Sequence, residues 1–293
     1  MICEFSFVPP MIKVDLHSHS TISDGLMTPR ELVRHAATQG VQVLALTDHD
    51  DIGGIDEAQL EATQVGITLI AGTEISVSWR GRTLHIVGLR IDPTFPALQQ
   101  GLARIRESRF TRAQRIADEL SKIGILDSLE GARKHTKEGI ISRSHFARFL
   151  IANGHAKDMK AVFKRYLVKG KPGYVEHTWA SLEEAISWIL GAGGTPVIAH
   201  PGRYDLGKTL IGDLLSEFKQ LGGVGVEVVC GSHHPDQYGQ YAQLAQQFGL
   251  RASRGSDYHG PGHSYMDMGR LPDLPSQCDP VWREWEEVLK LAA

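Results

Sequence analysis

Four apolar runs constrain this chain most. Val41-Gln42-Val43-Leu44-Ala45-Leu46, Ile67 to Ala71, Thr195 to Ala199 and Val224 to Val229 are short and nearly continuous. Such runs read as strands covered on both faces, which happens when helices flank a largely parallel sheet. Helical stretches do lie between them. Thr28-Pro29-Arg30-Glu31 opens one, with Thr as N-cap, Pro at the first position and an acid in the first turn; it runs to about Gln39 and stops at Gly40. Others are expected over about 55–64, 181–190, 210–221, 235–248 and 281–291. Ile12 to Leu16 and Leu250 to Arg254 add an opening and a closing strand, and Arg80-Gly81-Arg82 joins Ile75–Trp79 to Thr83–Leu89 as a hairpin. The alternation predicts an α/β fold with a parallel sheet, closed as a barrel or open.

The alternation breaks once. From about Phe95 to Lys169 there is no strand pattern, only helical periodicity over 98–123 and shorter helices near 128–137, 144–152 and 159–167. Lys169-Gly170-Lys171-Pro172-Gly173 is a breaker-rich exit. The chain therefore divides into a first α/β part at 11–97, an inserted helical subdomain at 98–172 and a second α/β part at 173–293. The insertion is basic: Gly101 to Val175 holds 17 Lys+Arg against 7 Asp+Glu, in a chain whose formal net charge is −3. That points to a polyanionic partner, although a solvated helical face can carry the same charge.

Composition excludes some classes. With 42% hydrophobic and 22% charged residues the chain is of ordinary globular type. It has no apolar run long enough for a membrane span. Met1 to Pro10 contains Glu4 and lacks a basic start, unlike a signal peptide. Cys3, Cys230 and Cys278 are too few and scattered for a disulfide framework or thiolate zinc site, so plain thiols in a reducing cytoplasm are expected.

The chemistry gathers where strands end. Val14-Asp15-Leu16 runs into His17-Ser18-His19, and Asp24-Gly25 follows at a turn. Two histidines at i and i+2 on a strand face the same way and suit one metal ion, though such a pair alone is a weak signal. The other apolar runs lead into Thr47-Asp48-His49-Asp50, Glu74, His200-Pro201 and Asp257-Tyr258-His259. His85 is the exception, in the second arm of the hairpin. The C-terminal ends of parallel strands are where barrel active sites collect. Six of the 14 histidines fall in this set. His35, His135, His155, His177, His233, His234 and His263 sit in helical or loop contexts that suit non-ligands.

The ordered set His17-x-His19, Asp24, Thr47-Asp48-His49, Glu74, His85, His200-Pro201 and Asp257-x-His259 resembles the PHP (polymerase and histidinol phosphatase) superfamily from end to end. His85-Ile86-Val87-Gly88-Leu89, His145-Phe146-Ala147-Arg148, Gly170-Lys171-Pro172-Gly173-Tyr174-Val175 and Ala199-His200-Pro201-Gly202-Arg203-Tyr204 resemble, within it, the ribonuclease AM family and the nucleoside 3′,5′-bisphosphate phosphatases. The resemblance implies a distorted (β/α)7 barrel with three divalent metal ions, manganese first and iron or zinc as alternatives. It places His17, His19, Glu74 and Asp257 on one ion, Glu74, His85 and His200 on a second, and Asp24, His49 and His259 on a third. Asp48 and Asp50 are expected to orient imidazoles from behind. Nine ligands exceed what a closed structural site needs, which favours catalysis.

The same resemblance implies a substrate. Arg109, Arg112, Ser142 and Arg143, with His145 and Arg203, are expected to grip a terminal 5′-phosphate while the 3′-phosphate reacts at the metals. That geometry joins two activities, a nucleoside 3′,5′-bisphosphate phosphatase and a 5′→3′ exoribonuclease on 5′-phosphorylated RNA. Direct attack on phosphorus by metal-activated water is expected, without a covalent enzyme intermediate. Phe110, Phe146, Phe163 and Tyr166 interleave with the basic residues and are either base-stacking platforms or helix core. Two other functions compete: a phosphatase for a small metabolite such as histidinol phosphate, which leaves the basic insertion unexplained, and a non-catalytic nucleic-acid-binding module with a relic metal site. Nucleotide or RNA substrates are the expected partners, with no membrane and no obligate protein partner.

Overall fold

The computed structural model describes residues 12–136, 141–264 and 266–292. The expectations for Met1–Pro10, Cys3 and Lys137 fall outside them. Seven strands form one sheet in chain order. They are β1 (Val14–Asp15), β2 (Val43–Leu46), β3 (Thr68–Trp79), β4 (Arg82–Leu89), β5 (Thr195–Ile198), β6 (Gly225–Cys230) and β7 (Arg251–Gly255). β4 runs antiparallel to both neighbours, and the other pairs are parallel. The ring closes where Leu16 N donates to Arg254 O at 3.0 Å and Asp257 N to His17 O at 2.9 Å. The result is a nearly closed, distorted barrel with helices outside.

Successive strand residues point to opposite faces, and both faces are buried, against different cores. Val14, Leu16, Val43, Ala45, Val87, Leu89, Val197 and Ala199 share one core inside the ring. Val281, Trp285 and Val288 plug its lower end. Their neighbours Leu44 and Leu46 pack instead with α1 (Pro29–Thr38) and α2 (Ile55–Val65). α1 starts with the expected capping box, in which Thr28 Oγ1 accepts from Glu31 N and Glu31 accepts from Thr28 N.

Between β4 and β5 come α3 (Pro96–Ser121), α4 (Ser128–Arg133), α5 (Arg143–Ala152) and α6 (Met159–Val162), which runs into a π-turn at Phe163–Leu167. Their own core holds Ile116, Leu120, Phe146, Leu150, Val162 and Leu167. Residue 98 falls inside α3, whose Leu98, Leu102 and Ile105 belong to the barrel-side core. The second half of the chain adds α7 (Leu182–Gly191), α8 (Lys208–Gln220), α9 (Pro235–Gln247) and α10 (Glu286–Ala292).

Three boundaries differ from expectation. The strand ending near Ala71 and the first hairpin arm are one strand, β3, parallel to β2 up to Ala71 and antiparallel to β4 from Gly72. Gly72 is no turn: a Cβ there would lie 2.9 Å from both Gly88 O and Thr47 Cγ2, so the glycine allows close packing. Glu74 is thus mid-strand. The C-terminal helix starts at Glu286 rather than near Val281, because Val281 N is held by Ala252 O at 2.9 Å. The opening strand shrinks to Val14–Asp15 as the chain bends to meet β7. No helix among the described residues is long and apolar enough to cross a membrane.

Candidate metal centre

Glu74 is the hub. Its Oε1 lies 2.8 Å from His85 Nδ1 and 2.8 Å from His200 Nε2, which are 3.4 Å from each other. Its Oε2 lies 3.3 Å from both His17 Nε2 and His19 Nε2 and 2.8 Å from His49 Nδ1. Asp257 Oδ1 sits 3.6 Å from His17 Nε2 and 3.3 Å from His19 Nε2, which are 3.1 Å apart. Asp24 Oδ1 faces His259 Nε2 at 3.2 Å and His49 Nε2 at 3.8 Å. All nine ligands proposed from sequence therefore converge, and a mid-strand carboxylate reaches two of their groups at once.

The backbone is bent to achieve this. Asp50, His200 and Asp257 all take positive φ, at 50°, 27° and 55°, in a region that residues with a Cβ avoid. Gly255 has to be glycine for another reason: a Cβ would stand 2.3 Å from His17 Cβ.

The donor set fits divalent cations. Asp24 Oδ1, His49 Nδ1, Glu74 Oε2 and Asp257 Oδ1 are buried and lack a hydrogen-bond partner. Folded proteins pair nearly all their buried polar atoms, so carboxylate oxygens and a ring nitrogen left over together in one cluster are donors suited to a cation. Burial pushes the Glu74 carboxyl up, but His49, His85 and His17 outweigh it and hold it well below the carboxylate range. Asp24 and Asp257 are likewise held well down against burial, by His259 and His49 and by His17, His19 and His259 respectively. Burial, with His259 and His49 beside it, lowers His19 to about 3, and burial lowers His85 to about 4 despite Glu74, so both imidazoles stay neutral as ligands must. His259 rises to about 9 because Asp24 and Asp257 overcome burial. A buried cluster that retains its carboxylate charges and draws protons onto a histidine is one that attracts positive charge.

Glu227 is the residue that sequence reasoning missed. It is buried in β6, takes His17 Nδ1 on Oε1 at 2.7 Å and accepts from His200 N on Oε2 at 2.5 Å. The first bond fixes the proton of His17 on Nδ1 and leaves Nε2 facing the cluster. The second restrains the strained His200 backbone. A lone carboxylate inside an apolar run was the available signal, since a buried charge needs a partner.

Asp48 and Asp50 do not orient imidazoles. Asp48 accepts from Ser20 N, Ser20 Oγ and Ser23 Oγ at 2.8, 2.6 and 2.5 Å, and so shapes the loop before Asp24. Asp50 turns away to the helices, where it pairs with Arg109 Nε at 2.7 Å and accepts from Ser76 N at 2.7 Å. Their backbones leave β2 on either side of His49, which sends the two side chains to separate partners.

The basic residues meet the cluster in a cleft of ≈ 150 Å³, where Arg109, Arg112, Ser142, Arg143 and Arg203 face Asp24, His49, His85 and His259. Arg109 spends Nε and Nη2 on Asp50 and Ser76. Arg112 has no carboxylate partner among the described residues, and its buried Nε has no hydrogen bond. Burial, then Arg143 and Arg109, push its guanidinium down to about 9. Arg143 donates to Leu167 O at 3.3 Å and has no carboxylate partner among the described residues. Ser142 caps α5 and reaches Asp24 Oδ2 at 3.3 Å. Arg203 Nη1 bonds Asp257 Oδ2 at 2.9 Å. His145 is buried and does not line this cleft; its Nδ1 accepts from Ser142 N at 3.0 Å. The aromatic residues divide: Phe146 and Tyr166 are core, Phe110 is exposed, and half-buried Phe163 lines the cleft.

Residues 15–228 match the PHP domain. The chain belongs to the PHP-domain family. A Chromobacterium violaceum relative, named 3′,5′-nucleoside bisphosphate phosphatase, is 51% identical over 94% of this chain and 97% of its own length. An Escherichia coli relative, named 5′-3′ exoribonuclease Rnm, is 44% identical over 93% of this chain and 94% of its own. A solved structure from Chromobacterium violaceum, described as an amidohydrolase with bound SO4 and no metal, superposes with a TM-score of 0.90 at 50% identity over 96% of each chain.

Proposed function

We propose that this PHP protein is a metal-dependent phosphoesterase that removes the 3′-phosphate from nucleoside 3′,5′-bisphosphates and shortens 5′-phosphorylated RNA from its 5′ end. One observation carries the reading: Arg112 and Arg143, neither with a carboxylate partner among the described residues, face Asp24, His49, His85 and His259 of the candidate ligand cluster across a single small cleft. Phosphate needs cations at both ends of such a substrate, and only a doubly phosphorylated one uses both. The names of the bisphosphate phosphatase and exoribonuclease relatives agree with it. A small-metabolite phosphatase leaves the arginine pair without a ligand.

His17, His19, Asp24, His49, Glu74, His85, His200, Asp257 and His259 would hold three divalent cations, for which manganese, iron or zinc suits mixed imidazole and carboxylate donors. Bound there, such cations neutralise phosphoryl charge and acidify water. Arg112 and Arg143 hold the 5′-phosphate, and Trp179 supports the arginine side, with Arg112 Cζ 5.1 Å and Arg109 Cζ 4.7 Å from its ring centroid. Arg109 braces this wall through Asp50. Ser142 ties the N-terminus of α5 to Asp24, which keeps the phosphate grip in register with the cluster. A water oxygen bonds to phosphorus, the P–O3′ bond breaks, and O3′ takes up a proton. The bisphosphate then gives a 5′-nucleotide and phosphate, while RNA gives a 5′-nucleotide and a chain with a new 5′-phosphate. The helical segment at 98–172 serves as the substrate-gripping subdomain. Free thiols at Cys230 and Cys278 suit a reducing cytoplasm.

The test compares kcat/KM for adenosine 3′,5′-bisphosphate, adenosine 3′-phosphate and histidinol phosphate. The bisphosphate should lead. Arg143→Ala should erode its advantage over the 3′-phosphate by about 10-fold or more, the worth of one charge-assisted hydrogen bond, while bound metal is unchanged. Equal loss on both nucleotides removes the assigned role of Arg143, and a preference for histidinol phosphate overturns the substrate class.

A further inference from the structure

A second cleft, of ≈ 610 Å³, opens from the same cluster. It starts at Asp257, His259 and Arg203 and runs outward along Arg148, Lys160 and Phe163. Its volume is in the range of sites that enclose a nucleotide-sized ligand, whereas the arginine cleft at ≈ 150 Å³ is phosphate-sized. Its cations are not fully used. Arg148 Nη2 bonds Asp24 O at 2.6 Å, but Arg148 Nε is buried with no hydrogen-bond partner. Lys160 is exposed and has no carboxylate partner among the described residues. Asp158, the acid in this wall, is engaged in capping α6, accepting from Ala161 N at 2.7 Å. Phe163 offers a half-buried ring, with Arg143 Cζ 5.6 Å from its centroid.

The chemistry gives this cleft a task. Breaking P–O3′ leaves the phosphorus attached to the rest of the RNA, so the downstream chain must lead away from the cluster. A mononucleotide bisphosphate has nothing beyond that phosphorus. We propose that the larger cleft holds the first nucleotide downstream of the cut, with Lys160 and Arg148 facing the next phosphate and Phe163 against the base. This rests on the phosphoesterase reading above. It makes the cleft a determinant of polynucleotide against mononucleotide use, separate from the arginine grip on the 5′ end.

Lys160 tests it, because it touches neither the cluster nor the arginine cleft. The full-length, metal-loaded protein is assayed on adenosine 3′,5′-bisphosphate and on a 5′-phosphorylated triadenylate. Lys160→Ala should raise KM for the trinucleotide about threefold and Lys160→Glu about tenfold, with the slope of log KM against log salt shallower by about one for the alanine variant. Both variants should turn over the bisphosphate as wild type does, and thermal melts should match. Equal effects on both substrates overturn the proposal, since the cleft then holds the released nucleoside. No effect on either also overturns it. Wild-type protein that cleaves neither substrate overturns the phosphoesterase reading itself, a separate failure.

Discussion

Asp50→Asn probes the joint between the helices and the barrel. Asp50 is 0% and Arg109 7% exposed. Arg109 Nε reaches Asp50 Oδ2 at 2.7 Å, with Nη2 on the same oxygen, and Asp50 Oδ1 accepts from Ser76 N at 2.7 Å. Asparagine keeps the shape, tolerates the φ of 50° and still accepts from Ser76 N. Its amide N–H groups, however, then face the guanidinium. The substitution thus leaves a buried cation without its counter-charge, which costs 3–5 kcal/mol, roughly, when one partner is removed. The lower end, about 3 kcal/mol, is expected here because the Trp179 ring still backs the guanidinium. In a chain of this size that is a fall of about 6 °C in Tm. Arg109→Met should cost about as much by stranding the carboxylate. The double variant should fall short of the sum by about 2–3 kcal/mol. Thermal and urea unfolding followed by circular dichroism measure all three. Additive costs, or an Asp50→Asn protein melting within about 1 °C of wild type, would refute the joint.

Three further outcomes are expected. Glu227→Gln should weaken metal binding by about 10- to 100-fold, read by equilibrium dialysis with metal analysis; wild-type affinity would show that His17 and His200 need no anchor. His17→Ala and Asp24→Ala should each lower metal content, but at different ions, so the double variant should lose more than either; identical metal content in all three would mean that both residues serve one ion. Dialysis against a chelator should abolish hydrolysis and manganese should restore it; activity that survives complete metal removal excludes the mechanism.

The convergence of the candidate ligands was legible because they sit where apolar runs stop, and a strand's end is visible in a linear pattern. His17, His49, His200 and Asp257 all follow such runs. Glu227 was hidden within one, and its partners lie 210 and 27 positions away in sequence. Periodicity also could not tell that Asp50 would face Arg109, 59 residues on, rather than a neighbouring imidazole. The fusion of two expected strands into β3 has the same origin. Gly72-Thr73 reads locally as a break, and only the nearness of Gly88 and Thr47 makes it a place for close approach. Charge on the insertion was readable as a sum, but not which arginine is already paired.

Ring closure also carries a consequence for biosynthesis. The seam joins Leu16 to Arg254, and the plug that seals the interior comes from residues 281–288. Contacts between such distant positions are slow to form and come after local structure. A growing chain that has emerged only to β6 lacks Asp257 and His259, and therefore two of the nine proposed ligands. The centre can be assembled only when nearly the whole polypeptide is available. A centre built this way cannot gather its full set of proposed ligands on the ribosome before β7 and the turn after it have been made.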